Sequence, residues 1–439
     1  MPSVKLYKTN LALEVFKRID NKYFSKKEKI FGIAVSGGPD SMLLFSLLNK
    51  WTKDNKKKLK VFTFNHNLRR ESLNEGYFVR TKCQAFGCEH IHINWDNIPQ
   101  TRIMERARVA RYFEITKKCK ELGIKTLFLG HHADDIAETM SMRLLKNSSL
   151  EGLCPIYEIR EIFDIKLFRP MLNIKKSEIL KTNNQYKITF INDSSNNNKK
   201  YLRSRIRTYL NKNRKFKNNL IMASRLFCRI KYFNLKFVKI NFQNYIHYND
   251  KGFLVIKESL FKSFPKYMII FFLKYSLTRI GNKFYAPNDK KLSNIYNKLL
   301  KREFFISSIS GCIIEFTSKH LRICREYNDI KNTLITLEKK SSIKWDNRFH
   351  IINNTNDLIY INPLGFLLEH KKYKNVYKCE KKNIKSIPFK IRKTLPVIKN
   401  LEGCVYIPHL NISEPKFIKE GIEIQALAFY DKKYDNIVS

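Results

Sequence analysis

Four short apolar runs recur through about the first 150 residues: Ile30 to Val35, Leu59 to Phe64, His90 to Trp95 and Thr126 to Leu129. A segment with apolar residues at helical spacing follows each of them. Alternation of strand and helix at this rhythm predicts a parallel sheet covered on both faces, the doubly wound α/β class. In such sheets ligands bind beyond the carboxyl ends of the strands. Chemistry is therefore expected in the residues that come just after each run.

The first run ends in FGIAVSGGPDSMLLFSLLNK, residues 31 to 50: strand, two-glycine loop, and a helix that begins at once. In Ser36-Gly37-Gly38-Pro39-Asp40-Ser41 the glycines let backbone amides approach phosphate oxygens, and the helix opening near Ser41 adds its positive end. The lysine of the GxxxxGK[ST] nucleotide loop is absent. Asp40 would repel a bare phosphate unless a magnesium ion lay between them. Taken alone, the six residues read equally well as a Gly-Pro-Asp turn capping a helix.

Three more polar clusters accompany the loop. Phe64-Asn65-His66-Asn67-Leu68-Arg69 follows the second run, and Gly130-His131-His132-Ala133-Asp134-Asp135-Ile136-Ala137-Glu138-Thr139 follows the fourth. Between them, Ala107-Arg108-Val109-Ala110-Arg111-Tyr112 carries two arginines three apart, which share a helix face. A single histidine is ordinarily a packed side chain, and paired arginines are ordinarily a solvated face. Four clusters on one edge of one sheet point instead to a site.

Charge indicates the partner. Lys and Arg number 84 against 39 Asp and Glu in 439 residues, a formal charge of +45, which draws in polyanions such as nucleic acid. Biased codon supply accounts for part of the lysine excess. Lys199 to Lys231 is nevertheless a concentrated strip of twelve Lys or Arg with no acid, interleaved with Tyr201, Tyr209 and Phe216. It suits phosphate contact with base stacking, or a basic linker helix. Arg203, Arg205 and Arg207 alternate within it, so one helical face cannot carry all three.

The other sequence features narrow the class. The N-terminus lacks the apolar core of a secretory signal, and the greasiest run, YMIIFFLKYSL from Tyr267, is interrupted by Lys274 and too short to span a bilayer. A soluble, cytoplasmic protein with no membrane partner is expected. The nine cysteines are scattered with no CxxC, which predicts reduced thiols without disulfide, zinc site or redox pair.

SGGPDS, FNHNLR, ARVARY and GHHADDIAET, in this order, resemble the PP-loop (N-type ATP pyrophosphatase) family and, within it, the bacterial tRNA(Ile)-lysidine synthases. The likeness continues through RPML (Arg169 to Leu172), FINDSSN (Phe190 to Asn196) and YLRSRIR (Tyr201 to Arg207), covering about the first half of the chain closely. Fainter echoes follow in GNKFY from Gly281, in Gly311 to Glu326 and in Arg392 to Pro408. The resemblance implies ATP cleavage between the α- and β-phosphates, with pyrophosphate as leaving group, so no P-loop lysine is needed at the γ-phosphate. It implies adenylation of the 2-oxo group of the wobble cytidine in a CAU anticodon, then attack by the ε-amine of free L-lysine and loss of AMP. The product, lysidine, pairs with A instead of G.

By the same resemblance, Ser36, Gly37, Gly38, Pro39, Asp40 and Ser41 bind ATP, with Asp40 holding magnesium. Arg111 stabilises charge on the α-phosphate, and His131 and Asp135 belong to the catalytic segment. Asp135 and Glu138 are candidates to grip the lysine ammonium, and either could accept its proton; as acids in a helix's first turns they also suit the macrodipole. Arg203, Arg205 and Arg207 are candidates to hold tRNA(Ile). Thiolases of the same superfamily generally need cysteines this pattern does not offer. Amidating synthetases that use ammonia leave the basic charge unexplained, and an inactive tRNA-binding homologue would be expected to have lost some of Asp40, Arg111, His131 and Asp135. The domains expected are a PP-loop domain over 1–215, a helical domain over 216–327, a polar linker near 328–347 and a small α+β C-terminal domain over 348–439. The oligomeric state is left open, a dimer included.

Overall fold

The protein is described here by a computed structural model, which covers all residues except 1–3, 21–27, 67–71, 96–102, 147, 149–152, 154–155, 193–200, 284–285, 318, 370–386, 415–416, 418–419 and 430–439. The chain divides into two compact units, Met1–Lys231 and Tyr232–Ser439.

Unit 1 begins with helix α1 (Asn10–Asp20) and then alternates as the apolar runs dictate: β1 (Ile30–Ala34), α2 (Pro39–Asp54), β2 (Lys58–Asn65), α3 (Ser72–Phe86), β3 (Glu89–Asn94), α4 (Ile103–Glu121), β4 (Thr126–Leu129) and α5 (Ala133–Leu145). A hairpin of β5 (Ile159–Ile162) and β6 (Ile165–Phe168) follows, then α6 (Lys176–Gln185), α7 (Leu202–Lys212) and α8 (Arg214–Asn241), within which the division between units falls. The sheet order is β3-β2-β1-β4-β6-β5, parallel throughout except for the antiparallel β5–β6 edge. β1 thus has β2 on one side and β4 on the other, and that reversal of strand order is where such sheets open a crevice. The loops after β1 and β4 both border it.

The sheet is held by side chains that alternate between its two covered faces. Phe31, Ile33, Val61, Phe128 and Phe168 are buried to within 1% of completely, and α2 buries Met42 through Leu48 against them. Each such side chain contributes about 1.5–3 kcal/mol by leaving water. A smaller cluster joins Ala133, Ala137 and Met140 of α5 to Ile206 and Leu210 of α7 and Leu220 and Ile221 of α8. This packing turns one flank of α7 toward the start of α5.

Unit 2 holds two cores. In the first, α10 (Lys266–Ile280) and α11 (Asp289–Leu300), which follow the short α9 (Leu260–Ser263), pack with a five-stranded antiparallel sheet. Its order is β7 (Ile246–Tyr248), β8 (Leu254–Lys257), β11 (His320–Arg325), β10 (Cys312–Phe316), β9 (Phe305–Ile309). The stretch read as helical from sequence therefore also carries a sheet. The second core, around Trp345, Phe349, Ile361 and Val397, lies with a five-stranded and a three-stranded antiparallel sheet. Residues 335–337 and 341–345, read as polar linker, are strands of those sheets.

Among the described residues, no helix is long and apolar enough to cross a membrane. Six described cysteines are free thiols, but Cys228 is disulfide-bonded, which corrects the expectation of reduced thiols throughout. Spacing along the chain does not say which sulfurs the fold brings together.

Candidate active site

The loop after β1 is closed on itself by its two serines. Ser41 Oγ receives the Ser36 backbone N–H at 3.2 Å and donates to the Gly38 carbonyl at 3.0 Å. Gly37 sits at φ +79°, where an L side chain is strained, and an added Cβ would lie 3.3 Å from Ile191 Cδ1. Its carbonyl receives the Ile191 N–H at 2.9 Å. Pro39 takes the first turn of α2, where its missing N–H costs nothing. The fully buried Asn183 of α6 donates to the Pro39 carbonyl at 3.0 Å, so α6 braces the loop from behind.

Lys176, the first residue of α6, places its Nζ 2.6 Å from Asp40 Oδ1. Its backbone N–H donates to Asp134 Oδ1 at 3.1 Å, and Lys217 of α8 pairs with the other oxygen of Asp134. Burial opposes ionisation of Asp134, yet the hydrogen bonds from Lys217 and from the Lys176 amide outweigh it and hold the carboxyl below its usual range.

The turn between β4 and α5 meets this loop at close quarters. A Cβ on Gly130 would lie 3.1 Å from the Ser41 nitrogen and 3.2 Å from the Asp40 carbonyl carbon. Two residues on, His132 Nε2 is 3.6 Å from Asp40 Oδ1 and 3.5 Å from Asp135 Oδ2. Asp135 accepts the His132 backbone N–H at 3.0 Å, capping α5, and pairs with Arg203 Nη2 at 2.6 Å. Burial works against a charge on Asp135, but His132, His131, Arg203 and the amide bond together keep it well below the ordinary carboxylate range. One turn on, Glu138 takes Arg203 Nε at 2.7 Å and Arg207 Nε at 2.6 Å; its side chain is 3% exposed. Arg203 and Arg207 are four apart on the flank of α7 that the Ile206 and Leu210 packing turns inward. Arg205 lies roughly 200° around the helix from Arg203 and is exposed.

A third wall comes from α4 and the end of β6. Arg169, 4% exposed, donates from Nε to His131 Nδ1 at 3.3 Å and from Nη1 to the Tyr157 carbonyl at 2.9 Å. Tyr112 is buried beneath the guanidinium groups of Arg111 and Arg108, 5.3 and 5.9 Å from its ring centre. Burial raises the phenol pKa, but Arg111, Arg169 and Arg108 overcome it and bring the value down to about 7. Burial, then Arg169, press His131 well below its usual 6.5, against the pull of Asp135.

Contacts thus link Asp40, His132, Asp135, Arg203, Glu138 and Arg207 in one chain, with His131 and Arg169 beside it. Arg111 reaches the site over the Tyr112 ring, whose phenol is acidified by Arg111, Arg169 and Arg108 together. Lys176, His132, Asp134 and Arg169 belong to the site although the motifs assigned them no role. Of the residues quoted earlier, Asn67 to Arg69, Asp193 to Asn196, Lys199, Lys200, Phe284, Tyr285 and Ser318 lie outside the described residues.

No cluster of three or more His, Cys, Asp or Glu side chains among the described residues could hold a metal ion by itself. Magnesium, however, is commonly held by one or two carboxylates with phosphate oxygens and water completing the shell. Asp40, at the mouth of the loop after β1, is one carboxylate of that kind: Lys176 takes its Oδ1, and the loop's amides lie beside it for phosphate.

Residues 11–214 match the PP-loop domain family. The chain is 30% identical over 419 residues to the tRNA(Ile)-lysidine synthase of Orientia tsutsugamushi (strain Boryong), covering 91% of this chain and 93% of that protein. It is 31% identical over 369 residues to the tRNA(Ile)-lysidine synthase of Wolbachia pipientis wMel, covering 81% and 85%. Among solved structures, a U34-tRNA thiolase, NcsA from Methanococcus maripaludis with its [4Fe-4S] cluster, superposes with a TM-score of 0.41 at 19% identity, covering 49% of this chain and 78% of that one. A superposition that loose carries no argument.

Proposed function

Since the chain belongs to the tRNA(Ile)-lysidine synthase family, we propose that the site around Asp40 and Asp135 carries out both halves of lysidine formation. The protein ligates L-lysine to C2 of the wobble cytidine of tRNA(Ile) bearing a CAU anticodon, converting ATP to AMP and pyrophosphate. The observation that carries the residue assignment is the unbroken run of contacts from the phosphate loop to the acids of α5.

In the first half, the cytidine O2 forms a bond to the α-phosphorus and the bond to the bridging oxygen of pyrophosphate breaks. The amides of Ser36 to Gly38 and the N-terminus of α2 receive the departing diphosphate, and Ser41 keeps the loop in shape. Magnesium, when bound, neutralises phosphate charge, and Asp40 is the residue to hold it. Arg111 stabilises charge on the α-phosphate as a fixed cation. In the second half, the lysine nitrogen bonds to C2 and the bond from C2 to the AMP oxygen breaks.

An ε-amine arrives protonated, since its reference pKa is about 10.4. Asp135 is held well below the ordinary carboxylate range, which suits it to grip an ammonium ion. Arg203 occupies that position in the free chain, so lysine binding exchanges one cation for another on Asp135, with Glu138 behind it. The nitrogen has a lone pair to attack with only once a proton has left it, and one of these carboxylates takes that proton. tRNA is held through Arg205 and the basic surface of α7 and α8, while Arg203 and Arg207 reach it only if released from the acids.

Sulfur transfer fits less well. The free thiols of Cys83 and Cys119 in unit 1 are buried, which pushes each up to about 12 and leaves little thiolate to react. Incubation with tRNA transcripts, ATP and labelled lysine tests the reading. Lysine should enter only the CAU transcript, with AMP and pyrophosphate formed. Incorporation of sulfur, or preference for ammonia over lysine, overturns it.

A further inference from the structure

His131 faces Asp135 from α5, Arg111 and Arg108 from α4, and Arg169 from the end of β6. Only Arg169 has a hydrogen bond to its ring among the described contacts, from Nε to Nδ1 at 3.3 Å. A guanidinium can donate but never accept. The nitrogen it meets must therefore carry a lone pair, and in a neutral imidazole the proton then sits on Nε2. An imidazolium would set N–H against N–H between buried cations. Arg169 is itself fixed: it is 4% exposed and its Nη1 is spent on the Tyr157 carbonyl.

We propose that Arg169 is a positioning residue that locks His131 as the neutral Nε2–H tautomer, so that His131 serves the reaction as a hydrogen-bond donor and not as a base. The role in the reaction rests on the function proposed above. A donor at this point suits the non-bridging oxygens of the α-phosphate, which carry charge when the cytidine oxygen attacks and again when AMP leaves. Base work is left to the carboxylates of α5.

The test is nitrogen NMR on the full chain labelled with ¹⁵N-histidine, with the His131 signals identified by their loss in His131→Asn. In the wild type, Nε2 should show the protonated shift and Nδ1 the unprotonated one, holding while exposed histidines titrate. Arg169→Met removes every donor at similar length. It should mix the tautomers, raise the His131 pKa, and lower kcat for AMP formation roughly 10- to 100-fold, a magnitude seen for residues that orient a reacting group through another. KM for ATP should change little. Arg169→Lys, which also can only donate, should restore the tautomer in part. A wild-type proton on Nδ1, or a tautomer unchanged in Arg169→Met, overturns the proposal; the wild-type spectrum decides even if the variants fail to fold. Because the spectrum needs no substrate, an intact tautomer in a chain that does not ligate lysine supports the Arg169 lock while overturning the reaction.

Discussion

Lys176 Nζ lies 2.6 Å from Asp40 Oδ1, so the first residue of a helix 136 positions downstream delivers to the phosphate loop a cation that the loop's own sequence does not contain. Asp40 is thereby held in place before any metal or nucleotide arrives, and Lys176 is poised beside whatever phosphate the loop receives.

Lys176→Met should therefore slow adenylation by on the order of 100-fold, about 2.7 kcal/mol of transition-state stabilisation, as removal of a preorganised charge at a reacting phosphate does. Asp40→Ala should abolish adenylation and leave tRNA binding nearly unchanged. Pyrophosphate release and filter binding of tRNA read the two. Loss of tRNA binding along with adenylation would move Asp40 to a folding role.

The three arginines of α7 should separate by experiment as they do in the fold. Arg205→Gln should flatten the slope of log affinity for tRNA against log salt by roughly 0.7 to 0.9 if the side chain neutralises one phosphate. Arg203→Gln and Arg207→Gln should instead destabilise unit 1 by roughly 1–3 kcal/mol, less than the full cost of breaking a buried pair because both arginines remain more than a third exposed. Salt titration of tRNA binding and thermal melting check this. Equal salt slopes for all three variants would show that the α5 contacts do not persist in solution.

A buried charge network stabilises unit 2. Asp346, 4% exposed, receives Arg325 Nε at 3.1 Å and Arg348 Nε at 2.7 Å, and Arg348 Nη2 donates to the Thr394 carbonyl at 2.6 Å. Asp346→Ala strands two buried guanidinium groups and should cost about 3–5 kcal/mol. Denaturant unfolding followed at Trp345, whose ring Arg348 overlies, measures it. A cost within experimental error of zero would mean that Asp329 and solvent compensate Arg325 and Arg348.

His409 gives unit 2 an acid sensitivity. Burial, with Lys251 and Arg348 nearby, lowers its pKa from 6.5 to about 4, against the attraction of Asp250. The folded chain thus declines a proton that the unfolded chain takes. Stability from this group is whole above about pH 6.5 and is lost progressively as the pH falls toward about 4. His409→Gln should remove that part of the pH dependence. Melting curves that keep the wild-type slope in the variant would assign the acid loss to other groups.

The parallel half of the fold was legible because β1 and β4 are buried on both faces and read as apolar runs, and β2 keeps Leu59, Val61, Phe62 and Phe64 around Lys60 and Thr63. The β5–β6 hairpin was not, since its turn places Phe163 and Asp164 at positive φ, where turn chemistry would call for Gly or Asn. The strands of unit 2 are mostly three to five residues long, too short for alternation to stand out. In the site, the motif order marked the phosphate loop and the start of α5. It could not mark Lys176, one lysine in a lysine-rich chain, nor distinguish Arg203 and Arg207 from Arg205. That distinction comes from Ile206 and Leu210, which choose the face α7 presents to α5.

The contact at Gly130 has a mechanical consequence. A methyl group on Gly130 would press on the backbone of Asp40 and Ser41 and force a shift of a few tenths of an ångström, so the β4–α5 turn and the loop after β1 cannot close further on each other. The backbone of the loop after β1 and the backbone that bears His131, His132 and Asp135 therefore meet at van der Waals distance, with glycine as the residue that permits it. If a ligand at one loop moves this contact, thermodynamic reciprocity requires a ligand at the other to feel the same factor.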